Sequence, residues 1–256
     1  MRACPRAAVF AVFILAASTA STASAADWEH RLTPYLWMSG MDGSQTIGTP
    51  AGPLTADLDL SFGDILDNLE AGAMLSYRGQ TGRWVVMGDF IYMDLEAKDN
   101  RDGELIDVAA KITAEQLALE ADLGYQVAER VVVFAGLRYN DLEQDLTVTT
   151  AGGPAAGTRS ASAGDSWIDP IVGVTTELPL GERWSVGLRG DIGGFGIGSD
   201  FAWQALAMVR WQASERISVV GGYRYIDMDY EDGTGTELFG YDMALSGPAL
   251  GVSFDF

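Results

Sequence analysis

The side chains best placed to do chemistry are carboxylates and arginines that recur on alternate residues. Glu70, Arg78, Asp89, Glu120, Asp122, Arg138, Asp169, Glu177, Arg189, Asp191, Arg210 and Arg224 all fall on the polar phase of segments whose other phase is apolar. Counted from an arginine that recurs in short polar turns, Asp89 and Arg189 sit at +6, and Arg138, Asp191 and Arg224 at +8, so acid and base share neighbouring layers. Groups interleaved in this way either lock one another into a fixed ion-pair network or line a narrow, cation-favouring path. Other candidates have bland readings. A Ser/His or Asp/His catalytic pair needs histidine, and the one His, His30, stands at the start of the first segment. Asp57-Leu58-Asp59 and the run Asp227 to Asp232 offer oxygen ligands without EF-hand spacing, so they read as solvated acidic connections that bridge divalent cations only diffusely. The glycine run 193–198 has neither a lysine nor a following helix and reads as a hairpin tip rather than a phosphate cradle. No cofactor and no specific metal site is expected.

Composition excludes further classes. The 256 residues carry 16 Lys+Arg against 36 Asp+Glu, a formal net charge of −20, and the two lysines are Lys98 and Lys111. Nucleic-acid binding rests on cationic side chains releasing counterions, so nucleic acid is not the partner. At 48% hydrophobic and 10% aromatic the chain folds. Residues 1–25 read as a secretory leader: Arg2 and Arg6 begin it, 7–17 is apolar, and Ala23-Ser24-Ala25 supplies the small residues of a cleavage site. An apolar run of 11 residues falls short of the roughly 20 needed to span a bilayer as a helix. The leader would take Cys4 with it and leave 14 basic and 36 acidic residues, a net charge of −22. Residues 26–256 form the second expected unit.

Beyond residue 26 the apolar period is two, the period of a strand with one greasy face. Leu117, Leu119, Ala121, Leu123 and Tyr125 alternate with Gln116, Ala118, Glu120, Asp122 and Gly124. An internal repeat places the turns: Gly82-Arg83, Glu129-Arg130, Glu182-Arg183 and Glu215-Arg216 each stand between two alternating runs. Three of the following runs share an ending, Tyr92-Met93-Asp94-Leu95, Tyr139-Asn140-Asp141-Leu142 and Tyr225-Ile226-Asp227-Met228. Ten strands are predicted, near 28–40, 69–79, 83–97, 104–126, 130–149, 166–178, 183–193, 200–212, 216–230 and 241–256, with eight and twelve as the even alternatives. Short turns alternate with long acidic connections, the longest at 41–68 and 151–165.

Alternating strands can bury the apolar face in a sandwich or turn it outward in a transmembrane barrel. Aromatic placement favours the barrel. Tyr77, Trp84, Tyr125, Trp184 and Trp211 lie beside short turns, while Tyr92, Tyr139, Trp203 and Tyr225 lie toward the long connections, as two interfacial girdles would. The eight residues from Trp84 to Tyr92 cover about 26 Å of strand, or about 20 Å of height at a tilt near 40°. The charges on the other phase suit a hydrated lumen better than a dry core. Pro248, Leu250, Val252, Phe254 and Phe256 alternate to the last residue.

This last run resembles the terminal strand of bacterial outer-membrane barrels, and residues 28–256 as a pattern are similar to the group that includes the small OmpA-like and OmpW-like barrels. The resemblance implies an all-β, antiparallel barrel in the outer membrane of a Gram-negative bacterium with periplasmic termini. It also implies contact with outer-membrane lipids and lipopolysaccharide, and Phe254 and Phe256 as the assembly signal read by the barrel-assembly machinery. Omptin proteases resemble the chain in strand number and leader, but they imply a His paired with Asp near the extracellular rim, where His30 does not fall. The expectation is a monomeric, non-enzymatic barrel with a structural role and passive, cation-favouring permeation of small solutes; the alternative is surface recognition through the long connections.

Overall fold

The computed structural model describes residues 28–50, 52–101, 107–151 and 157–256. The expected leader lies outside the described residues. Among the described residues twelve strands, one short α-helix and one 3-10 turn follow in chain order: β1 (Glu29–Trp37), β2 (Gly40–Thr49), β3 (Gly52–Leu60), α1 (Phe62–Asp67), β4 (Leu69–Thr81), β5 (Trp84–Arg101), β6 (Asp107–Ala128), β7 (Val131–Ala151), β8 (Gly157–Pro179), β9 (Trp184–Gly193), β10 (Phe201–Gln212), β11 (Ile217–Asp232), the 3-10 turn (Gly235–Glu237) and β12 (Phe239–Asp255). Ten of the strands, β1 and β4 to β12, pair antiparallel with their neighbours in order, and β12 pairs back onto β1 to close the ring. The expected ten-stranded antiparallel barrel is the fold.

The alternation seen in the sequence becomes an outside and an inside. Leu75, Leu123, Leu137, Val172, Leu188, Val209, Val219 and Leu250 all point outward and are exposed, whereas Glu120, Asp122, Arg138, Asp169, Asp191 and Arg224 are buried. A closed ring satisfies every ladder hydrogen bond without a free edge, which is what lets strands cross a hydrocarbon layer. The turn arginines extend the ladders as well. The carbonyls of Arg83, Arg183 and Arg216 accept the amides of Gln126, Gln212 and Asp255 on the adjacent strands, at 2.8, 2.8 and 2.9 Å.

The long-loop end is more ordered than its sequence suggests. The connection expected over 41–68 is a hairpin, β2–β3, followed by α1. β2 continues the course of β1 up β12, pairing Gly40 with Ser246 through Ile47 with Phe239, and β3 lies at the end of the sheet. Ser61 caps α1 through a reciprocal box with Asp64. The connection expected over 151–165 is strand from Gly157 onward, paired with β7 from Thr150 to Asp165's partner Leu142. Both segments are rich in Gly, Ser, Thr and Asp, and although Met41, Ile47 and Leu58 pack against the buried cluster, so few apolar residues leave little contrast to mark their period. Cross-strand hydroxyls hold them, Thr46 to Thr55 at 2.8 Å and Thr149 to Thr158 at 3.1 Å.

Closure depends on close backbone approach at one glycine. A Cβ at Gly247 would lie 2.0 Å from the Met38 carbonyl oxygen, where β12 passes from β1 to β2. Gly247→Val should therefore abolish the compact, heat-shifted band of unboiled gel samples, while Gly221→Ala, whose Cβ meets only a Leu250 methyl at 3.4 Å, should keep it. The Ser61 hydroxyl and amide hold the Asp64 carboxyl below the usual carboxylate range. A depressed native value adds stability above the unfolded value and loses it as pH falls through the native one, so the protection factors of the α1 amides should fall on acidification below about pH 4, and not in Asp64→Asn.

Candidate functional site

The lumen is built in three layers, each set by which residue the strands present inward at a given height. The middle layer is polar and continuous. Arg138 on β7 reaches Glu120 on β6 at 2.6 Å and Asp191 on β9 at 2.8 Å. Arg189 on β9 reaches Glu120 at 2.6 Å, Asp122 at 3.0 Å and Asp191 at 2.9 Å. Gln204 on β10 joins this group to the next, donating to Asp191 at 2.9 Å and accepting from Arg224 at 2.8 Å. Arg224 on β11 then pairs with Asp89 on β5 at 2.6 Å and donates to the Tyr35 hydroxyl on β1 at 2.9 Å, while Tyr35 donates to Asp89 at 2.9 Å. Arg189 and Arg224 also lie over the rings of Phe134 and Trp37, at 4.3 and 5.0 Å from their centroids. Three arginines and four carboxylates, with Gln204 and Tyr35, thus tie seven strands together across the barrel.

Toward the long-loop end the lumen turns apolar. Trp37, Ile91, Met93, Leu142, Trp167, Ile226, Met228, Tyr230, Phe239, Tyr241, Met243 and Leu245 form one buried cluster there. Trp167 and Tyr230 stack at 4.1 Å, 9° from parallel, across β8 and β11, and Tyr230 donates to Asp165 at 2.8 Å. Part of the plug follows from position: on β5 Asp89 is succeeded two and four residues on by Ile91 and Met93, and on β11 Arg224 by Ile226 and Met228. Between plug and charged layer lies a cleft of about 20 Å³, room for about one water.

Toward the short turns the lumen opens into a vestibule of about 970 Å³. Its outer ring holds Arg31, paired with Glu177 at 3.0 Å and Asp255 at 2.6 Å, and Arg210, paired with Glu177 at 3.3 Å. Arg78 lies beside Arg31 in register and donates to Gln80 at 2.9 Å and to the Met87 sulfur at 3.7 Å.

Of the twelve charges that alternation puts inward, Asp89, Glu120, Asp122, Arg138, Arg189, Asp191 and Arg224 meet in the middle layer, and Arg78, Glu177 and Arg210 in the vestibule. Asp169 is buried apart from them. It accepts from Trp167 at 3.1 Å and from the Ser199 amide and hydroxyl at 2.6 and 2.9 Å, pinning the 194–200 connection whose glycines form the expected tip. Glu70 stands outside the network: the ladder slips between Leu69 and Ala71, and this bulge leaves Glu70 exposed. Inward Tyr35, Gln204, Arg31 and Asp255 complete the two polar layers and were not singled out by charge pattern alone. Their signal was phase, since Asp255 sits between outward Phe254 and Phe256, and Arg31 between His30 and Leu32.

The aromatic girdles face outward. Near the short turns Trp84 packs edge-on to Tyr125 at 5.1 Å, Trp184 meets Trp211 at 6.3 Å, and Tyr77 bonds His30, whose ring stacks on Phe256. Phe254 and Phe256 are exposed along the seam, where His30 and Phe256 exchange two backbone hydrogen bonds of 3.0 Å. Near the long loops Trp203 stacks on Tyr225 at 4.7 Å, and the repeated Tyr-x-Asp ending acquires a reason. Tyr139 donates to Asp141 and Tyr225 to Asp227, each at 3.0 Å, while Tyr92 donates to Glu115 at 2.8 Å. A ring in the apolar belt with its hydroxyl held by a carboxylate above marks the boundary with water.

These features define a closed ten-stranded antiparallel barrel with the architecture of outer-membrane barrels. No protein-family model and no curated protein matches the chain. Among solved structures, it is similar to the outer membrane protease OmpT from Escherichia coli, at 8% identity over 93% of this chain and 100% of that one, with a TM-score of 0.56. Ail, the attachment invasion locus protein of Yersinia pestis, follows at 13% identity, 90% and 99% coverage and a TM-score of 0.32, and the toluene transporter TodX of Pseudomonas putida at 10%, 89% of each chain and 0.33. At these identities the likeness to OmpT speaks for the fold alone.

The middle layer generates a stability prediction. Arg138→Met leaves Glu120 and Asp191 facing one fewer cation in a site where Arg138 is almost wholly buried, and should cost about 3–5 kcal/mol in urea unfolding from detergent or vesicles. Tyr139→Phe, which removes one boundary hydrogen bond to Asp141, should cost about 1 kcal/mol.

Proposed function

We propose that the protein is a sealed, non-enzymatic barrel of the outer membrane that presents an acidic rim to the exterior and an open vestibule to the periplasm, with residues 1–25 removed as a leader. The observation that carries this reading is the fill of the lumen: an apolar plug above a continuous ion-pair layer, with a cleft of about 20 Å³ between them. A structural and surface-presenting role fits such a cylinder. The passive cation permeation that the alternating charges suggest on their own is opposed by the same fill, because an ion would have to cross both an apolar constriction and a set of fixed salt bridges. The reading as a non-enzyme is supported by His30, which lies at the short-turn end against Tyr77 and Phe256, at the opposite end from the rim.

A second reading, recognition of a surface partner by the rim, is favoured by the ordered hairpin β2–β3, whose last strand ends the sheet and carries Asp57 and Asp59. Planar-bilayer recording tests the first. The protein should give no conductance steps, and neither should Arg224→Ala, since the plug above that layer stays in place. Steps should appear only when Trp37, Met228 and Tyr241 are also replaced by Gly. Cation-selective steps from the unaltered protein would sink the sealed-barrel reading.

A further inference from the structure

The vestibule has features of a ligand site that the barrel's architecture does not require. Its volume, about 970 Å³, is at the upper end for small-molecule pockets. The space arises because the lining positions between the outer ring and the middle layer are short, among them Thr33, Ser76, Thr175 and Gly187. Apolar wall is supplied beside them by Met87, Leu206, Met208 and Val220.

Charge in this half runs against the rest of the molecule. The chain as a whole is −20, yet the short-turn half holds seven arginines, at 31, 78, 83, 130, 183, 210 and 216, against six carboxylates, at 29, 129, 177, 182, 215 and 255. At the turns Glu and Arg offset each other, as Glu129 and Arg130 do at 3.6 Å. In the ring inside the mouth, Arg31, Arg78 and Arg210 stand with Glu177 and Asp255, three cations to two acids, while Glu29, Glu129 and Glu215 line the vestibule farther out. Register makes the imbalance local: Asp255, Arg31 and Arg78 lie side by side on β12, β1 and β4. The two acids are taken by Arg31 and Arg210, while Arg78 spends its donors on a neutral amide oxygen and a thioether. A planar guanidinium with only neutral acceptors, lining an open cavity, is suited to a two-pronged bond with a carboxylate or phosphate.

We propose that the vestibule binds a small soluble oxyanion, an organic carboxylate or phosphate ester with a short apolar body, with Arg78 as the anchoring cation and the Met87, Leu206, Met208 and Val220 wall receiving the body. The ligand enters from the short-turn end and stops at the middle layer. This site is independent of whether the barrel conducts, because it lies wholly on one side of the plug.

The test is titration of the purified barrel in a neutral detergent with acetate, inorganic phosphate and hexanoate, read by the ¹⁵Nε–¹Hε resonances of the arginines and by calorimetry. Saturable shifts centred on Arg78 are expected, with hexanoate tighter than acetate. Arg78→Gln should weaken binding by about tenfold or more, the loss of a charge-assisted pair, and Arg78→Lys by less. Arg83→Gln removes an equal charge from an exposed turn, where Arg83 bonds the Gln126 carbonyl, and should leave the affinity unchanged. Heat-shifted gel mobility of each variant certifies its fold, with Arg78→Lys serving if Arg78→Gln does not fold. Non-saturable shifts, equal weakening by Arg83→Gln, or equal affinity for acetate and hexanoate would overturn the proposal.

Discussion

Inside a hydrocarbon layer a backbone amide without a partner costs several kcal/mol, so a strand can cross only if both of its edges are paired. Every other property of this chain follows from that constraint. The ring must close, so β12 returns to β1. Closure gives each strand one face to lipid and one to the lumen, and the two phases of the sequence are separated by it. Apolar side chains are then free to face outward, while the polar phase must neutralise itself within a narrow cylinder. The middle layer does this with bonds that pass from strand to strand, each arginine meeting at least one carboxylate, although Asp122 Oδ1 and Arg138 Nη1 are left without a hydrogen bond.

Much of this was legible in the sequence because membrane-crossing strands carry a strong contrast between phases. Leu117 to Tyr125, with Glu120 and Asp122 between, could hardly be arranged otherwise, and the strand number followed from counting such runs. Legibility failed where contrast disappears. In the hairpin β2–β3 and the upper parts of β7 and β8 the residues are mostly Thr, Ser, Gly and Asp, and the few inward apolar ones, Met41, Ile47 and Leu58, are too sparse to mark a phase. The apolar plug was hidden for the opposite reason: where inside and outside are both apolar, as in Phe90-Ile91-Tyr92-Met93, alternation carries no information about which side is which.

The lumen charges show a related limit. Phase places a residue inside, but it does not say which neighbour it meets. Sequence layers put Asp89 and Arg189 at one height, whereas Asp89 in fact pairs with Arg224 and Arg189 with three acids on β6 and β9. Tilt and stagger of the strands decide those partners, and the slip at Leu69 is enough to send Glu70 out of the lumen.

The seventeen residues of β12 serve two partners in turn, β1 along their second half and β2 along their first. The strand that completes the cylinder is therefore also the template on which the rim hairpin forms. An unfinished ring would lack its hairpin as well as its seam, so the presence of an ordered β2–β3 at the rim is a visible token that the wall beneath it has been sealed.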